Sequence, residues 1–151
     1  MPWPDFGWYL SWCSVFILHH LNFYVGVSCM RDYMARSLTI ECRGFKVEAE
    51  LLDQERPNTC EAIWRALPFE GKAEVWKEEV YFEIPVKIPR ENPTPRTRAG
   101  DVSYWPEGQG FCIFFGRSQP ITPVNTFAQI KSRVDNFRHV RPGDRIIVRK
   151  V

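Results

Sequence analysis

The sequence predicts a mainly β domain, a closed or nearly closed β-barrel with one clear α-helix, over residues 37–151. Three observations support this prediction. Several short segments alternate apolar and polar residues with the period of two that is typical of strands. Turn-forming Gly, Pro and Asp residues separate these segments. A single segment shows the 3.6-residue apolar spacing of an amphipathic helix.

The first predicted elements form a hairpin. Leu38–Cys42 is expected to be a strand, Arg43 and Gly44 a tight turn, and Phe45–Leu51 a second strand. Apolar and charged residues alternate along Phe45–Leu51, so one face of this strand is predicted to meet the core and the other to meet water.

The clear helix follows Pro57. Asn58 is predicted to cap it, together with Glu61 in a capping-box pattern. A single apolar stripe runs along the helix, made of Cys60, Ile63, Trp64 and Leu67. Because the helix is short, it must be stabilised by packing Trp64 and Leu67 onto a sheet as core residues.

Further short strands are predicted in the second half of the chain. They are Ala73–Pro85, Val102–Trp105, Phe111–Phe115, Thr126–Val134 and Arg145–Val151. Glu78, Glu79 and Glu83 are expected on a solvated strand face. The proline- and arginine-rich stretch Pro85–Gly100 cannot be a central strand, and it is predicted to be a long irregular connection, either a solvated surface loop or a functional one.

Residues 1–36 form an apolar N-terminal segment that differs from the rest of the chain. Residues 1–29 contain a single charged residue, Asp5, and a composition typical of soluble domains begins at Met30. The apolar run is long enough to span a bilayer but has polar residues in its middle. Three interpretations stay open: a membrane anchor, an extension packed on the domain or on a partner, or an upstream start. In the third case the segment is disordered or not native, and Met30 or Met34 is the true start.

Composition excludes several classes of protein. A net charge of +2 is far below the basic balance of a dedicated nucleic-acid-binding domain, so no nucleic-acid partner and no membrane partner are expected for the domain. The five cysteines include no C-x-x-C pair, which argues against a disulfide framework and a structural zinc site. Cys42, Cys60 and Cys112 are predicted to be small buried residues in a reducing, cytoplasmic compartment. Because no known catalytic or cofactor-binding motif is present, no catalytic residue, metal or cofactor is predicted.

Aromatic residues and glycines are concentrated in Gly100–Pro106 and Gly110–Arg117. Strand alternation sends some of these rings inward and some outward. Outward rings beside a glycine-bounded loop and Arg117 would form the wall of a ligand pocket. The alternative is that all of the rings belong to the core.

These segments, in this order, resemble the cyclophilin superfamily. Pro57–Leu67 is similar to its P-x-T-x-x-N-F-R-x-L helix, and Ala99–Asp101 is similar to its G-G-D motif. Phe114 and Phe115 match the paired phenylalanines of a cyclophilin core strand.

Within that superfamily, the chain most resembles a small prokaryotic cyclophilin-like family. The signatures G-D-[IV]-x-Y-W-P and C-x-F-F-G of that family fit Gly100–Pro106 and Cys112–Gly116. The resemblance covers Leu38 to Val151 and implies a cyclophilin-like β-barrel.

The departures from cyclophilins bear on activity. Active cyclophilins carry an arginine after Phe-His in the strand following the helix, and this arginine polarises the prolyl amide. Tyr81–Glu83 occupies that place here without an arginine. Asn125–Val134 lacks the tryptophan and histidine of the cyclophilin pocket, and only Phe115 matches a pocket residue.

Two main functions therefore remain open, and a third, a membrane-tethered interaction protein, depends on the first thirty residues being native. The first is binding of a peptide or small-molecule ligand in an aromatic cleft, without catalysis. The second is a peptidyl-prolyl cis-trans isomerase with a rebuilt site, in which Arg96, Arg98 or Arg117 replaces the missing arginine; this activity is expected to be absent or weak. The candidate ligand-binding residues are Phe82, Arg96, Arg98, Tyr104, Trp105, Phe111, Phe115 and Arg117.

Overall fold

A computed structural model describes residues 35–151, in which nine antiparallel strands curl into a nearly closed barrel accompanied by one α-helix. This confirms the predicted fold class. The predictions for residues 1–36 concern residues outside the described part, except for Ala35 and Arg36. Across residues 35–151, no helix is long and apolar enough to cross a membrane.

The strands and the helix have clear bounds along the chain. The strands are β1 (Ser37–Cys42), β2 (Phe45–Leu51), β3 (Phe69–Lys72), β4 (Glu74–Trp76), β5 (Glu79–Glu83), β6 (Asp101–Trp105), β7 (Gly110–Phe114), β8 (Asn125–Ile130) and β9 (Arg145–Lys150). The helix α1 (Pro57–Ala66) lies between β2 and β3. The segment Ala73–Pro85, predicted as one strand, contains two short strands, β4 and β5, separated by a turn. The strand predicted over Thr126–Val134 ends at Ile130.

The chain closes the barrel at the seam between β3 and β4. The spatial order of the strands is β3-β9-β1-β2-β8-β6-β7-β5-β4, so β3 and β4 stand at its two ends. Yet only Ala73 separates them in sequence. The Ala73 N–H donates to the Asp144 carbonyl at 2.7 Å, and the Gly143 N–H donates to the Ala73 carbonyl at 2.8 Å. Because the strands at the two ends of the sheet are neighbours along the chain, the sheet must curl until its two edges meet.

Aromatic rings fill the interior of the barrel. Phe69, Phe82, Phe111 and Phe127 form a connected cluster with neighbouring ring centroids 5.2–6.2 Å apart. Such tilted and edge-to-face pairs add to the apolar area that they bury. The described cysteines are free and buried, as predicted, and they are Cys42, Cys60 and Cys112.

The N-terminus of α1 is capped from a distant part of the chain. The Glu91 carboxylate accepts hydrogen bonds from the backbone N–H groups of Asn58 and Thr59, at 3.0 and 2.8 Å. No side chain within the helix caps it, so the predicted capping by Asn58 and Glu61 is wrong. Glu61 binds Arg36 instead. Sequence spacing reveals only local caps, and this one comes from the Pro85–Gly100 connection.

The helix packs its apolar stripe on the sheet. Ile63 and Leu67 are buried in the core, which confirms the prediction for Leu67. Trp64 packs against the core but is only half-buried. The guanidinium of Arg36 and the ammonium of Lys150 lie 5.1 and 4.9 Å from its ring centroid. Cation–π contacts of this kind stabilise an exposed aromatic ring.

The Pro85–Gly100 connection is fixed to the barrel along its length. The Tyr104 hydroxyl donates to the Val86 carbonyl at 2.7 Å and accepts from the Ile88 N–H at 3.1 Å. Further along, Thr94 and Val124 form an isolated antiparallel bridge. The connection is therefore part of the folded wall and holds the loop that follows β7.

Candidate functional site

An aromatic pocket opens on the outer face of the barrel wall. Its lining residues are Trp76, Glu79, Tyr81, Trp105, Pro120, Ile121 and Val124, and its cavity volume is about 70 Å³. The first four come from β4, β5 and β6, and the last three from the loop between β7 and β8. A concave, mostly apolar site with few polar groups is typical of small-molecule binding.

The β4–β5 hairpin presents three of these side chains on one face. Trp76 and Glu79 are paired across the turn, and Tyr81 pairs with Glu74. The turn itself needs a left-handed residue, and Lys77 supplies it with φ of 52°. Because side chains alternate along β5, Glu79 and Tyr81 point outward while Val80 and Phe82 point into the core.

Glu79 is a buried carboxyl group with a thiol neighbour. It is only 8% exposed, so the prediction that it is solvated is wrong. Burial raises its pKa, and a hydrogen bond with Cys112 partly offsets this effect. Burial, together with the nearby Glu79 charge, raises the pKa of the Cys112 thiol well above its usual range. The thiol therefore stays protonated and donates to the carboxylate.

The orientation of the Trp105 ring is fixed by a hydrogen bond from its indole N–H and by close packing against Gly108. Its Nε1–H donates to Thr122 Oγ1 at 2.8 Å, and Thr122 in turn donates to the Glu107 carboxylate at 3.1 Å. Gly108 lies so close to the ring that a Cβ atom there would be 2.3 Å from a ring carbon. The orientation of this pocket ring is therefore fixed before any ligand arrives.

The loop between β7 and β8 forms the outer rim of the pocket. The Gln119 side chain fixes this loop to the Pro85–Gly100 connection. It accepts a hydrogen bond from the Thr97 N–H at 2.9 Å and donates one to the Thr97 carbonyl at 3.0 Å. Val124 is buried, whereas Ile121 remains 71% exposed at the rim. Cys112 on β7 interacts with the outward-facing Glu79 and is buried as well.

A larger polar cavity is lined in part by Gln119 and Thr97, the two residues that hold this loop. Its lining residues are Leu52, Glu55, Arg56, Thr94, Arg96, Thr97, Arg98, Asp101, Gln119, Thr126 and Gln129. The buried Arg56 guanidinium donates to the carbonyls of Asn92 and Thr126, each at 2.6 Å. Burial raises the pKa of Asp101, although a hydrogen bond from the Arg98 N–H partly offsets it. Internal partners thus already engage the buried charges of this cavity.

The structure distributes the eight predicted site residues among four places. Phe82, Tyr104, Phe111 and Phe115 are buried, and all four belong to the hydrophobic core. Arg96 and Arg98 line the polar cavity. Arg117 lies in an exposed turn and donates its backbone N–H to Glu78. Trp105 lines the aromatic pocket.

Six of the seven pocket residues were not predicted from the sequence: Trp76, Glu79 and Tyr81 on the hairpin, and Pro120, Ile121 and Val124 on the loop. One signal could have revealed the three hairpin residues. Trp76 and Glu79 flank a two-residue turn, and such residues face each other in a hairpin. Strand alternation then adds Tyr81 to the same face. Their burial could not be predicted, because it depends on the distant loop that covers this face.

The chain is similar to several solved structures, including the two that follow. The solution structure of the hypothetical protein AF2241 from Archaeoglobus fulgidus has a TM-score of 0.66 and 29% sequence identity, covering 78% of this chain and 95% of that chain. The structure of McbB in complex with tryptophan has a TM-score of 0.61 and 16% identity, covering 74% of this chain and 44% of that chain, and it shows the fold alone. No curated protein sequence matches the chain at a significant level.

The family assignment rests on most of the barrel domain. The match starts at Arg36, immediately before β1, and ends at Arg149 in β9, so it includes every strand and the helix. Residues 36–149 match the family described as Cyclophilin-like, and the chain therefore belongs to the cyclophilin-like family.

Proposed function

We propose that the domain binds a small molecule or a peptide side chain in the aromatic pocket. The observation that carries this proposal is the convergence of three aromatic side chains, Trp76, Tyr81 and Trp105, around one buried carboxyl group, Glu79. Rigid aromatic walls with a small number of oriented polar groups are the usual composition of ligand pockets.

The pocket residues are not explained by folding alone. Trp76, Tyr81 and Trp105 are only partly buried, so they do not contribute their full area to the core. Ile121 leaves an apolar side chain in water at the rim. A bound ligand would cover this apolar surface and gain the corresponding transfer free energy, at about 25 cal/mol per Å².

Binding is favoured over isomerisation because, among residues 35–151, no arginine lines this pocket. Arg96 and Arg98 line the polar cavity instead, and Arg117 is exposed. A prolyl isomerase with a rebuilt site would need one of these groups beside the apolar slot. Isomerisation stays the alternative function. The free, buried cysteines support the proposal that the domain works in the reducing cytoplasm.

The test is a ligand screen on the full-length chain, read by tryptophan fluorescence and confirmed by calorimetry. The panel contains aromatic amino acids, amines, carboxylates and proline peptides; tryptophan is included because a protein of the same fold was solved with it. Any hit is repeated on Trp105→Leu, with Trp64→Leu as the matched control, since Trp64 lies on α1 and does not line the pocket. The proposal expects Trp105→Leu to weaken binding at least about tenfold and Trp64→Leu to leave it unchanged. Equal loss in both variants, or no hit in the panel, would contradict it.

A further inference from the structure

We infer that the aromatic pocket recognises its ligand through an alkylammonium group, which pairs with the Glu79 carboxylate between the rings of Trp76 and Trp105. This inference rests on the proposed function and adds the chemical class of the ligand. Two independent features support it: a buried carboxyl group with no base to balance it, and aromatic faces beside that group.

The first feature is the missing counter-charge. Glu79 is 8% exposed, and among residues 35–151 no lysine, arginine or histidine forms an ion pair with it. Its polar neighbour is the Cys112 thiol, which supplies a weak hydrogen bond and no positive charge. A buried carboxylate without a partner is costly, so proteins usually pair it or keep it protonated. Because Glu79 lines an open pocket, a cation can reach it from solvent.

The charges nearest to the pocket rim do not remove this imbalance. Glu74 interacts with the Tyr81 hydroxyl and adds negative potential to the same face. Lys77 is exposed at the tip of the turn, and its ammonium lies against the Trp76 ring, but it does not line the pocket and forms no ion pair with Glu79. Glu79 therefore keeps no ion-pair partner among residues 35–151.

The second feature is the aromatic wall. The faces of tryptophan and tyrosine rings carry negative potential and attract ammonium groups within about 6 Å. The chain already uses Trp76 in this way, since the Lys77 ammonium lies 4.5 Å from the centroid of its ring. An apolar wall around the carboxylate also strengthens an ion pair by excluding water.

The experiment compares three probes that share one aromatic body. They are 2-phenylethylamine, which is a cation at neutral pH, 2-phenylethanol, which is neutral, and 3-phenylpropionate, which is an anion. Calorimetric titrations use the full-length chain, Glu79→Gln, and Glu78→Gln. Glu78→Gln is the matched control because it removes the same charge one residue away. The Glu78 side chain contacts Arg117 and Arg138 and does not line the pocket.

For the unmodified chain we expect the amine to bind at least about tenfold more tightly than the alcohol, and the acid to bind most weakly. Glu79→Gln should bring the amine and the alcohol within about twofold of each other. Glu78→Gln should keep the preference. Equal affinities for the amine and the alcohol, tighter binding of the acid, or a preference that survives Glu79→Gln would overturn the inference while leaving the proposed function intact. If no probe binds in a saturable manner, or Trp105→Leu leaves binding unchanged, the inference and the proposed function both fail.

Discussion

The carboxyl group of Glu79 and the thiol of Cys112 are hydrogen-bonded to each other on the outer face of the barrel wall, and both side chains are buried. The pair forms because β5 and β7 are neighbouring strands, and Cys112 is paired with Tyr81, which lies on the same face of β5 as Glu79. Within the described residues, neither group has a basic partner in an ion pair. Such an arrangement lowers stability at neutral pH, and proteins keep costly groups of this kind mostly where they serve a function.

The first prediction is that Glu79→Gln stabilises the domain at neutral pH. Burial raises the pKa of Glu79 in the folded state above its ordinary value of 4.5. The stability that comes from protonating this group is therefore present below pH 4.5 and is lost as pH rises through the folded-state pKa. Glutamine keeps an acceptor for the Cys112 thiol and never ionises.

We expect the free energy of unfolding of Glu79→Gln to exceed that of the unmodified chain by about 0.5–2 kcal/mol at pH 7. The difference should shrink as the pH falls towards 4. Urea unfolding at both pH values measures it, with Glu78→Gln as the control. A Glu79→Gln variant less stable than the unmodified chain at pH 7 would show that the carboxylate is satisfied internally.

The second prediction concerns the cap that Glu91 provides to α1. Partial burial alone would raise the pKa of Glu91, but hydrogen bonds from Thr59 and Asn58 outweigh it and leave the pKa below its usual value. Its contribution is therefore present above the unfolded-state pKa and is lost as pH falls through the folded-state pKa. Glu91→Ala should cost about 0.5–2 kcal/mol at pH 7, the usual range for a lost cap.

This cost should decrease in acid, which urea unfolding at pH 7 and pH 3 can measure. The control is Asn58→Ala, which removes the side chain that the sequence pattern favoured and its minor contact with Glu91 but leaves the backbone N–H groups of Asn58 and Thr59 in place. We expect a change within about 0.5 kcal/mol for it. A larger loss for Asn58→Ala than for Glu91→Ala would reverse the assignment of the cap.

Local patterns explain what the sequence could predict. The strand alternation of Phe45–Leu51 and the burial of Leu67 depend on a few neighbouring residues, and both predictions were confirmed. Trp105 could be identified as a pocket residue because it stands between a strand and a glycine-bounded loop. The hairpin turn could also have placed Glu79 on the pocket face, but its burial could not be predicted, because it depends on how distant segments pack against β5. Alternation alone also could not separate outward rings from core rings such as Tyr104.

The third prediction tests the packing of the helix. Leu67 is 7% exposed and belongs to the core cluster. Leu67→Ala should therefore lower the free energy of unfolding by about 2–5 kcal/mol, because it removes buried methyl groups and leaves a cavity. Ile121→Ala is the matched control, since Ile121 is 71% exposed, and it should change stability by less than about 0.5 kcal/mol. A cost below about 0.5 kcal/mol for Leu67→Ala would mean that the helix face is wrongly assigned.

The fourth prediction is that residues before Met34 are dispensable for the fold. Arg36 marks the start of the bonded domain, because its guanidinium binds Asp53 and Glu61 and lies over Trp64. A chain that begins at Met34 keeps these contacts and should unfold cooperatively with the stability of the full-length chain. A chain that begins at Ser37 loses them and should be less stable by about 1 kcal/mol. Thermal unfolding of the two shortened chains provides the comparison. A molten or insoluble chain from Met34 would show that the N-terminal segment is structural.

The last prediction is that prolyl isomerase activity is absent or very weak. The barrier to rotation about the peptide bond is about 18–20 kcal/mol, and lowering it requires an apolar slot together with a positioned donor that favours the twisted amide. The aromatic pocket offers a slot, but within the described part of the chain its one charged lining residue is Glu79, which in its ionised form can only accept hydrogen bonds. Loss of one preorganised donor typically lowers the rate about 100- to 1000-fold. A protease-coupled assay on a proline peptide should therefore show little turnover above the uncatalysed rate. Turnover close to that of a typical cyclophilin would contradict this view. If Arg96→Ala, Arg98→Ala or Arg117→Ala then removed the activity while the fold remained intact, that arginine would be the donor, and the pocket would have to rearrange to bring it to the substrate.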